Sequence, residues 1–126
     1  MRNRIRRYLK KYDKLSDGKK IFFDREIRRK IPIRGGVYGV FRKEDMRVLY
    51  IGKTNTNNLQ RRIGNIWSGR HILRNKLLKE HKQSKKKVQD FLAEKCYARY
   101  IVIEDKNARN LFEHFAIAVL NPKYNG

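Results

Sequence analysis

The sequence predicts an α+β fold: a three-stranded, mainly antiparallel sheet flanked by helices, with a basic N-terminal helical arm. Three observations carry this. Two β-branched and aromatic runs, residues 37–41 and 48–52, flank a polar stretch at 42–47 and read as a hairpin. A third run, Tyr-Ala-Arg-Tyr-Ile-Val-Ile-Glu at 97–104, supplies another strand. Apolar residues at helical spacing fill most of the remainder.

Residues 1–15 place Ile5, Tyr8, Leu9, Tyr12 and Leu15 at helical spacing, with Arg2, Arg4, Arg6, Arg7, Lys10, Lys11 and Lys14 around the rest of the wheel. This amphipathic basic helix ends near Ser16-Asp17-Gly18. It reads either as a solvated face over a core stripe or as an arm that grips nucleic acid. Residues 21–30 form a short helical or turn segment, and 31–36 (Ile-Pro-Ile-Arg-Gly-Gly) an extended linker. In the hairpin, Tyr38 and Val40 share one face while Val37, Gly39 and Phe41 share the other. Pairing can bring Tyr50 near Tyr38, although the register is open. Leu59, Arg62, Ile63, Ile66 and Trp67 then follow the helical period up to Ser68-Gly69. Ile72, Leu73, Lys76, Leu77 and Glu80 form another helix, and Ser84 caps a further one carrying Val88, Phe91 and Leu92. Asp105 or Asn107 caps the last helix, residues 108–120, which Pro122 stops. The expected division is a basic arm at 1–34 and one compact domain at 35–126.

At 126 residues the chain builds a single core. Its 33 lysines and arginines against 12 carboxylates give a net charge of +21, spread from Arg2 to Lys123. A polyanion is the natural partner for such a field, and phosphate binding that releases counterions makes nucleic acid the first candidate. No apolar run approaches the ~20 residues of a membrane span. Cys96 is the single cysteine, which excludes an intrachain disulfide, and the three histidines show no zinc spacing. The start lacks an apolar secretory segment, so a cytoplasmic, intracellular location is expected.

Several residues carry possible chemistry. Glu113 lies within the most apolar stretch of the chain, 111–120, where a carboxylate costs several kcal/mol unless it is paired or holds a metal. It is either an ion-pair partner or an oxygen ligand for a hard divalent cation. Arg62 shares its helix face with Leu59, Ile63 and Ile66, so its guanidinium is expected to reach over the hairpin and grip a phosphate bidentately. Arg61 points elsewhere, as a backbone-phosphate contact. Tyr38 and Tyr50 are either core aromatics or phenols whose ionisation is favoured by arginines, Lys53 and a metal. Trp67 serves in packing or in stacking on bases.

Together these words resemble a known family. Gly36-Val37-Tyr38, Tyr50-Ile51-Gly52-Lys53-Thr54, Leu59-x-x-Arg62, Glu113 and Asn121-Pro122-Lys123-Tyr124-Asn125 stand in the order of the GIY-YIG endonuclease superfamily, over residues 35–126. The resemblance implies a GIY-YIG-like fold and a single-metal endonuclease that hydrolyses DNA phosphodiester bonds to 5′-phosphate and 3′-hydroxyl ends. It implies Tyr38 as the leading general base, with Tyr50 orienting water or phosphate. It further implies Arg62 against the transition-state charge, Glu113 as the protein ligand of one Mg²⁺ or Mn²⁺ ion, and Asn125 organising the site by hydrogen bonds. Many members carry a histidine one turn after the arginine, a position held here by Ile66. His71 is expected to lie too far along to share that face, which leaves Lys53 as the substitute proton-transfer group.

Stand-alone phage and restriction members also lack that histidine, which favours a restriction-like or phage/mobile-element enzyme of a bacterial or phage-infected cell. The ending Pro-Lys-Tyr-Asn is similar to that of excision-repair nucleases, but those enzymes carry further domains, so that role is not expected. Double-stranded DNA is the expected partner, contacted by Arg4, Arg7, Lys11, Arg61, Arg70, Arg74 and Lys76, with base edges within reach of Arg70, His71, Arg74, Asn75 and Gln83. A homodimer is expected if both strands are cut, and no membrane is involved. The competing expectation is a non-catalytic basic nucleic-acid-binding protein, which has no need of the Tyr38, Tyr50, Arg62 and Glu113 set.

Overall fold

Two antiparallel pairings organise the chain. In a computed structural model that describes residues 2–126, strand β2 (Gly36–Arg42) pairs with β3 (Val48–Lys53) on one side and with β4 (Cys96–Val102) on the other. Met1 and the side chain of Arg2, counted above in the basic helical face, lie outside the described residues. A two-residue strand, β1 (Ile21–Phe22), adds to β4 and gives the order β1-β4-β2-β3. The sheet therefore has four strands where the sequence predicts three. The fourth sits inside the segment read as helix or turn, because two residues are too few to show a period. A short 3₁₀ turn, Ile27–Lys30, follows it.

The helices are α1 (Arg2–Ser16), α2 (Leu59–Ser68), α3 (Ile72–Glu80), α4 (Lys85–Lys95) and α5 (Lys106–Leu120). Their starts have local causes. The side chains of Asn58, Ser84 and Asp105 accept the backbone N–H of Arg61, Lys87 and Ala108, which satisfies one orphan donor per helix. At the end of α5, Asn121 takes a left-handed conformation (φ 46°) and Pro122 follows, so the helix cannot continue.

The sheet separates two apolar layers by strand alternation. Tyr38, Val40, Tyr50 and Ala98 face one side, where Leu59, Ile63 and Ile66 of α2, Leu73 and Leu77 of α3, and Val88 and Leu92 of α4 cover them. Val37, Phe41, Val48, Ile51 and Tyr97 face the other, under Phe112 and Ala116 of α5 and Leu15 of α1. A bulge at Val40/Phe41, where Tyr50 and then Val48 lie opposite, places Leu49 on the same side as Tyr50. Each fully buried side chain contributes about 1.5–3 kcal/mol. The segment before β2 shares these layers: Leu15, Ile21, Phe23, Ile27 and Ile31 are buried, and Tyr8 packs against Phe115 in a tilted arrangement with ring centroids 5.0 Å apart. The segment expected as a basic arm thus contributes buried side chains to the same core as the rest of the chain.

Strand β3 is at the edge of the sheet, and the C-terminal tail covers it. The backbone N–H of Tyr124 donates to Leu49 O (2.9 Å). Asn125 receives the N–H of Ile51 on Oδ1 (2.8 Å) and donates Nδ2 to Ile51 O (2.7 Å), acting as one residue of a missing strand. The tail is itself held by α3. Lys76 Nζ donates to Tyr124 O (2.6 Å), and the Tyr124 hydroxyl donates to Glu80 Oε2 (2.7 Å). Among the described residues no helix is long and apolar enough to cross a membrane.

Candidate active site

The β2–β3 pairing sets Tyr38 opposite Gly52 and Val40 opposite Tyr50, so the two phenols are diagonal neighbours with ring centroids 6.3 Å apart. Tyr38 is fully buried and Tyr50 is 7% exposed. Burial raises the pKa of both phenols above the ordinary tyrosine value, and the Arg62 guanidinium is the main opposing influence on each.

Arg62 reaches the hairpin as its helix face predicts. Its positive charge also acts on His71 and Glu113, so its field reaches four of the candidate groups. Its Nε is buried without a hydrogen-bond partner. An unpaired guanidinium donor in such a place is costly, and an incoming anion would satisfy it. Beside it opens a polar groove whose lining includes Thr54, Thr56, Asn58, Arg61 and Asn65. Arg61 is exposed there.

Glu113 approaches from α5, with its side chain 14% exposed. Desolvation lifts its carboxyl above the ordinary value, while Lys53, His114 and Arg62 pull it back. Its one salt-bridge contact among the described residues is His114 Nε2 at 4.0 Å, so the arginine or lysine pair offered as its alternative role is not formed. Lys53 instead donates to Asn110 Oδ1 (2.6 Å), on the same helix as Glu113. The donor set suits one kind of metal. Among the described residues no three His, Cys, Asp or Glu side chains converge, which excludes an all-protein zinc cage. A single carboxylate fits a hard ion such as Mg²⁺ or Mn²⁺ that keeps several waters.

His71 corrects the sequence reading. It does not lie on the helix face of Arg62, but the chain turns back after Gly69 and His71 becomes the N-cap of α3. Its extended backbone aims the ring inward, where it is 2% exposed, and Nε2 stands 2.6 Å from the Tyr38 hydroxyl oxygen. Its ring centroid is 5.3 Å from that of Tyr50. Burial, helped by the Arg62 charge, pushes its pKa down to about 3, so the ring is neutral. Lys53, proposed from sequence as the substitute for a missing histidine, therefore shares the site with a histidine from another helix.

Two further side chains escaped the sequence reading. Arg109 is buried and donates to the carbonyls of Ile103, Thr54 and Glu104 and to Asn57 Oδ1, all at 2.9–3.0 Å. It ties the loop after β3 to the end of β4. Its spacing from Phe112 and Ala116 on the buried face of α5 was the available signal. Asn110, the partner of Lys53, left none.

The remaining expected nucleic-acid contacts divide. Arg4 and Arg7 are exposed on α1, with Lys11 part-buried; α1 packs on β4 and α5. Arg70 is exposed beside His71, and Arg74 donates to Gly69 O (3.3 Å). Lys76 Nζ donates to the carbonyls of Tyr124 and Gly126 in the C-terminal tail. Trp67 packs against the core, in the structural one of its two expected roles.

This arrangement belongs to one fold: that of the GIY-YIG endonuclease domain. The chain is similar to the magnesium-bound GIY-YIG N-terminal endonuclease domain of UvrC from Thermotoga maritima, at 22% identity and a TM-score of 0.55, covering 82% of this chain and 100% of that one. Two tyrosine point mutants of the same domain, each bound to its catalytic divalent cation, match at 21% and 20% identity with TM-scores of 0.54, covering 82% of this chain and 99% of theirs. The structural likeness, at this low identity, shows the fold alone. No protein-family model matches the sequence, and neither does any curated protein.

Proposed function

We propose that this protein is a divalent-metal-dependent endonuclease that hydrolyses DNA phosphodiester bonds, leaving 5′-phosphate and 3′-hydroxyl ends. The observation that carries this reading is the position of Arg62. One guanidinium with an unpartnered buried Nε acts on two phenols, a neutral imidazole and a part-buried carboxylate, in a chain of charge +21. A binding protein gains nothing from burying those groups together.

The chemistry follows from the groups. Hydrolysis transfers a proton from water to a base, bonds the water oxygen to phosphorus and breaks the bond to the 3′-oxygen, which takes up a proton from solvent as it leaves. Tyr38 is the base in this reading and Tyr50 orients the water or phosphate. Burial disfavours the Tyr38 phenolate, and the Arg62 charge works against that cost. Arg62 also meets the charge that builds on the phosphoryl oxygens. Glu113 would hold Mg²⁺ or Mn²⁺, which when bound supplies positive charge to the phosphate and its leaving oxygen. Asn125 fixes the strand that carries Tyr50.

Duplex DNA would lie across the groove beside Arg62, with Arg61 and Arg70 on its backbone. Arg4, Arg7 and Lys11 on α1 would meet flanking phosphates away from the cut. The restriction-like or mobile-element role is supported by Ile66 at the position where many GIY-YIG members have histidine. Cutting both strands would require two copies or two sequential nicks.

The test is plasmid relaxation in Mg²⁺ by wild type, Glu113→Ala and Tyr38→Phe. Wild type is expected to nick, with both variants slowed on the order of 100-fold or more. Equal nicking by all three would remove these residues from the mechanism. Tight, salt-sensitive binding without cleavage of DNA or RNA would identify a binding protein instead.

A further inference from the structure

The hydrogen bonds of His71 assign its proton. Its Nδ1 accepts the backbone N–H of Leu73 at 2.9 Å, and an atom that accepts there carries no hydrogen. The neutral ring must then carry its hydrogen on Nε2, which stands 2.6 Å from the Tyr38 hydroxyl oxygen. We propose that His71 is a positioning residue that donates its Nε2 hydrogen to Tyr38 and cannot receive the Tyr38 proton.

Two consequences follow. The phenol is an acceptor toward His71, so its own O–H is turned out of that bond and a proton relay through the imidazole is closed. The imidazole's single free lone pair is already spent on the first turn of α3. When Tyr38 loses its proton, the phenolate keeps the Nε2–H bond and gains strength from it, since hydrogen bonds to charged acceptors are the stronger ones. His71 and Arg62 then act together against the burial that opposes the phenolate. The other groups facing Tyr38 are Tyr50 and, more remotely, Glu113, and neither supplies a compensating positive charge.

The residue type supports this assignment. Asparagine, serine, threonine and aspartate are the favoured N-caps, and histidine is not among them. Each of those would cap α3, but none places a second donor as far out as imidazole Nε2. The ring is chosen for its far nitrogen.

The catalytic consequence rests on the nuclease reading above; the proton placement does not. Nitrogen-15 spectra of the full-length protein, with His71 assigned by comparison with His71→Asn, are expected to show a neutral ring bearing hydrogen on Nε2 at neutral pH. A hydrogen on Nδ1, or a cationic ring, would overturn the proposal. Two variants separate the ring's two roles. His71→Asn keeps an oxygen to cap α3 and removes the donor to Tyr38. Its cleavage kcat is expected to fall on the order of 10- to 100-fold with KM little changed. His71→Gln extends an amide toward Tyr38 and gives up the cap, so it should melt lower yet cleave faster than His71→Asn. A His71→Asn enzyme as fast as wild type, or a His71→Gln enzyme no faster than His71→Asn, would reduce His71 to a cap and overturn its role toward Tyr38. If wild type cleaves nothing, the nuclease reading falls, and the nitrogen-15 result still decides where the proton sits.

Discussion

Tyr38 lies directly across Gly52: a Cβ on residue 52 would stand 2.5 Å from both the Cζ and the hydroxyl oxygen of Tyr38. The glycine of the second sequence word is thus the floor on which the tyrosine of the first one rests. Real Cβ atoms do not approach so closely, and the ring cannot retreat because His71 holds its far end.

Gly52→Ala should therefore displace the phenol. Overpacking is expected to cost about 1–3 kcal/mol in thermal or denaturant unfolding. Cleavage should fall much further than stability, because the hydroxyl oxygen itself moves. A variant with wild-type activity would show that the Tyr38 position is not constrained from this side.

Asn125 completes the edge of β3 through both polar atoms of its side-chain amide. Asn125→Ala leaves the N–H and C=O of Ile51 to water and should cost about 1–2 kcal/mol. Asn125→Asp is not a rescue, since a carboxylate accepts from the N–H but opposes the Ile51 carbonyl. Unfolding curves in which Asp matches Asn would contradict the two-bond arrangement.

Arg109 satisfies three carbonyls and one amide oxygen without a carboxylate partner. Arg109→Met should destabilise by about 2–3 kcal/mol, because two buried and two part-buried acceptors lose their donor. Arg109→Lys should recover little, as an ammonium cannot span the same fork. Gly35→Ala should mimic it, since a Cβ at residue 35 collides with the guanidinium. Chemical denaturation of the three variants checks the ranking.

The buried His71 predicts a pH dependence of stability. In the folded protein its pKa is lowered to about 3 from the ordinary 6.5, chiefly by burial. Between those values the unfolded chain binds a proton that the folded chain does not, so stability falls as pH drops through this window. The loss from pH 7 to pH 4 should be roughly 2–4 kcal/mol from this residue. Melting curves of His71→Asn should show a smaller acid loss; an identical loss would place the acid sensitivity elsewhere.

Much of this was legible in the chain. The hairpin, the strand after residue 95, the caps Ser84 and Asp105, and the stop at Pro122 each depend on neighbours within a few residues, where dihedral preference and periodicity act. Arg62 was legible because a charge on an apolar helix face is anomalous, and Glu113 for the same reason. Strand β1 was not, because two residues have no period and its pairing partners, Tyr97 and Ala98, are remote in the chain.

The sequence alone determined the charge, the order of the five helices and the three longer strands, and the inward lean of Arg62 and Glu113, since those follow from composition and local spacing. The tertiary structure alone decided which of those groups meet. It set the Tyr38–Gly52 register, turned Lys76 to the tail, committed Arg109 to a buried joint and brought His71 from a separate helix onto Tyr38. Each of these depends on how separate strands and helices pair and pack, which no local pattern encodes.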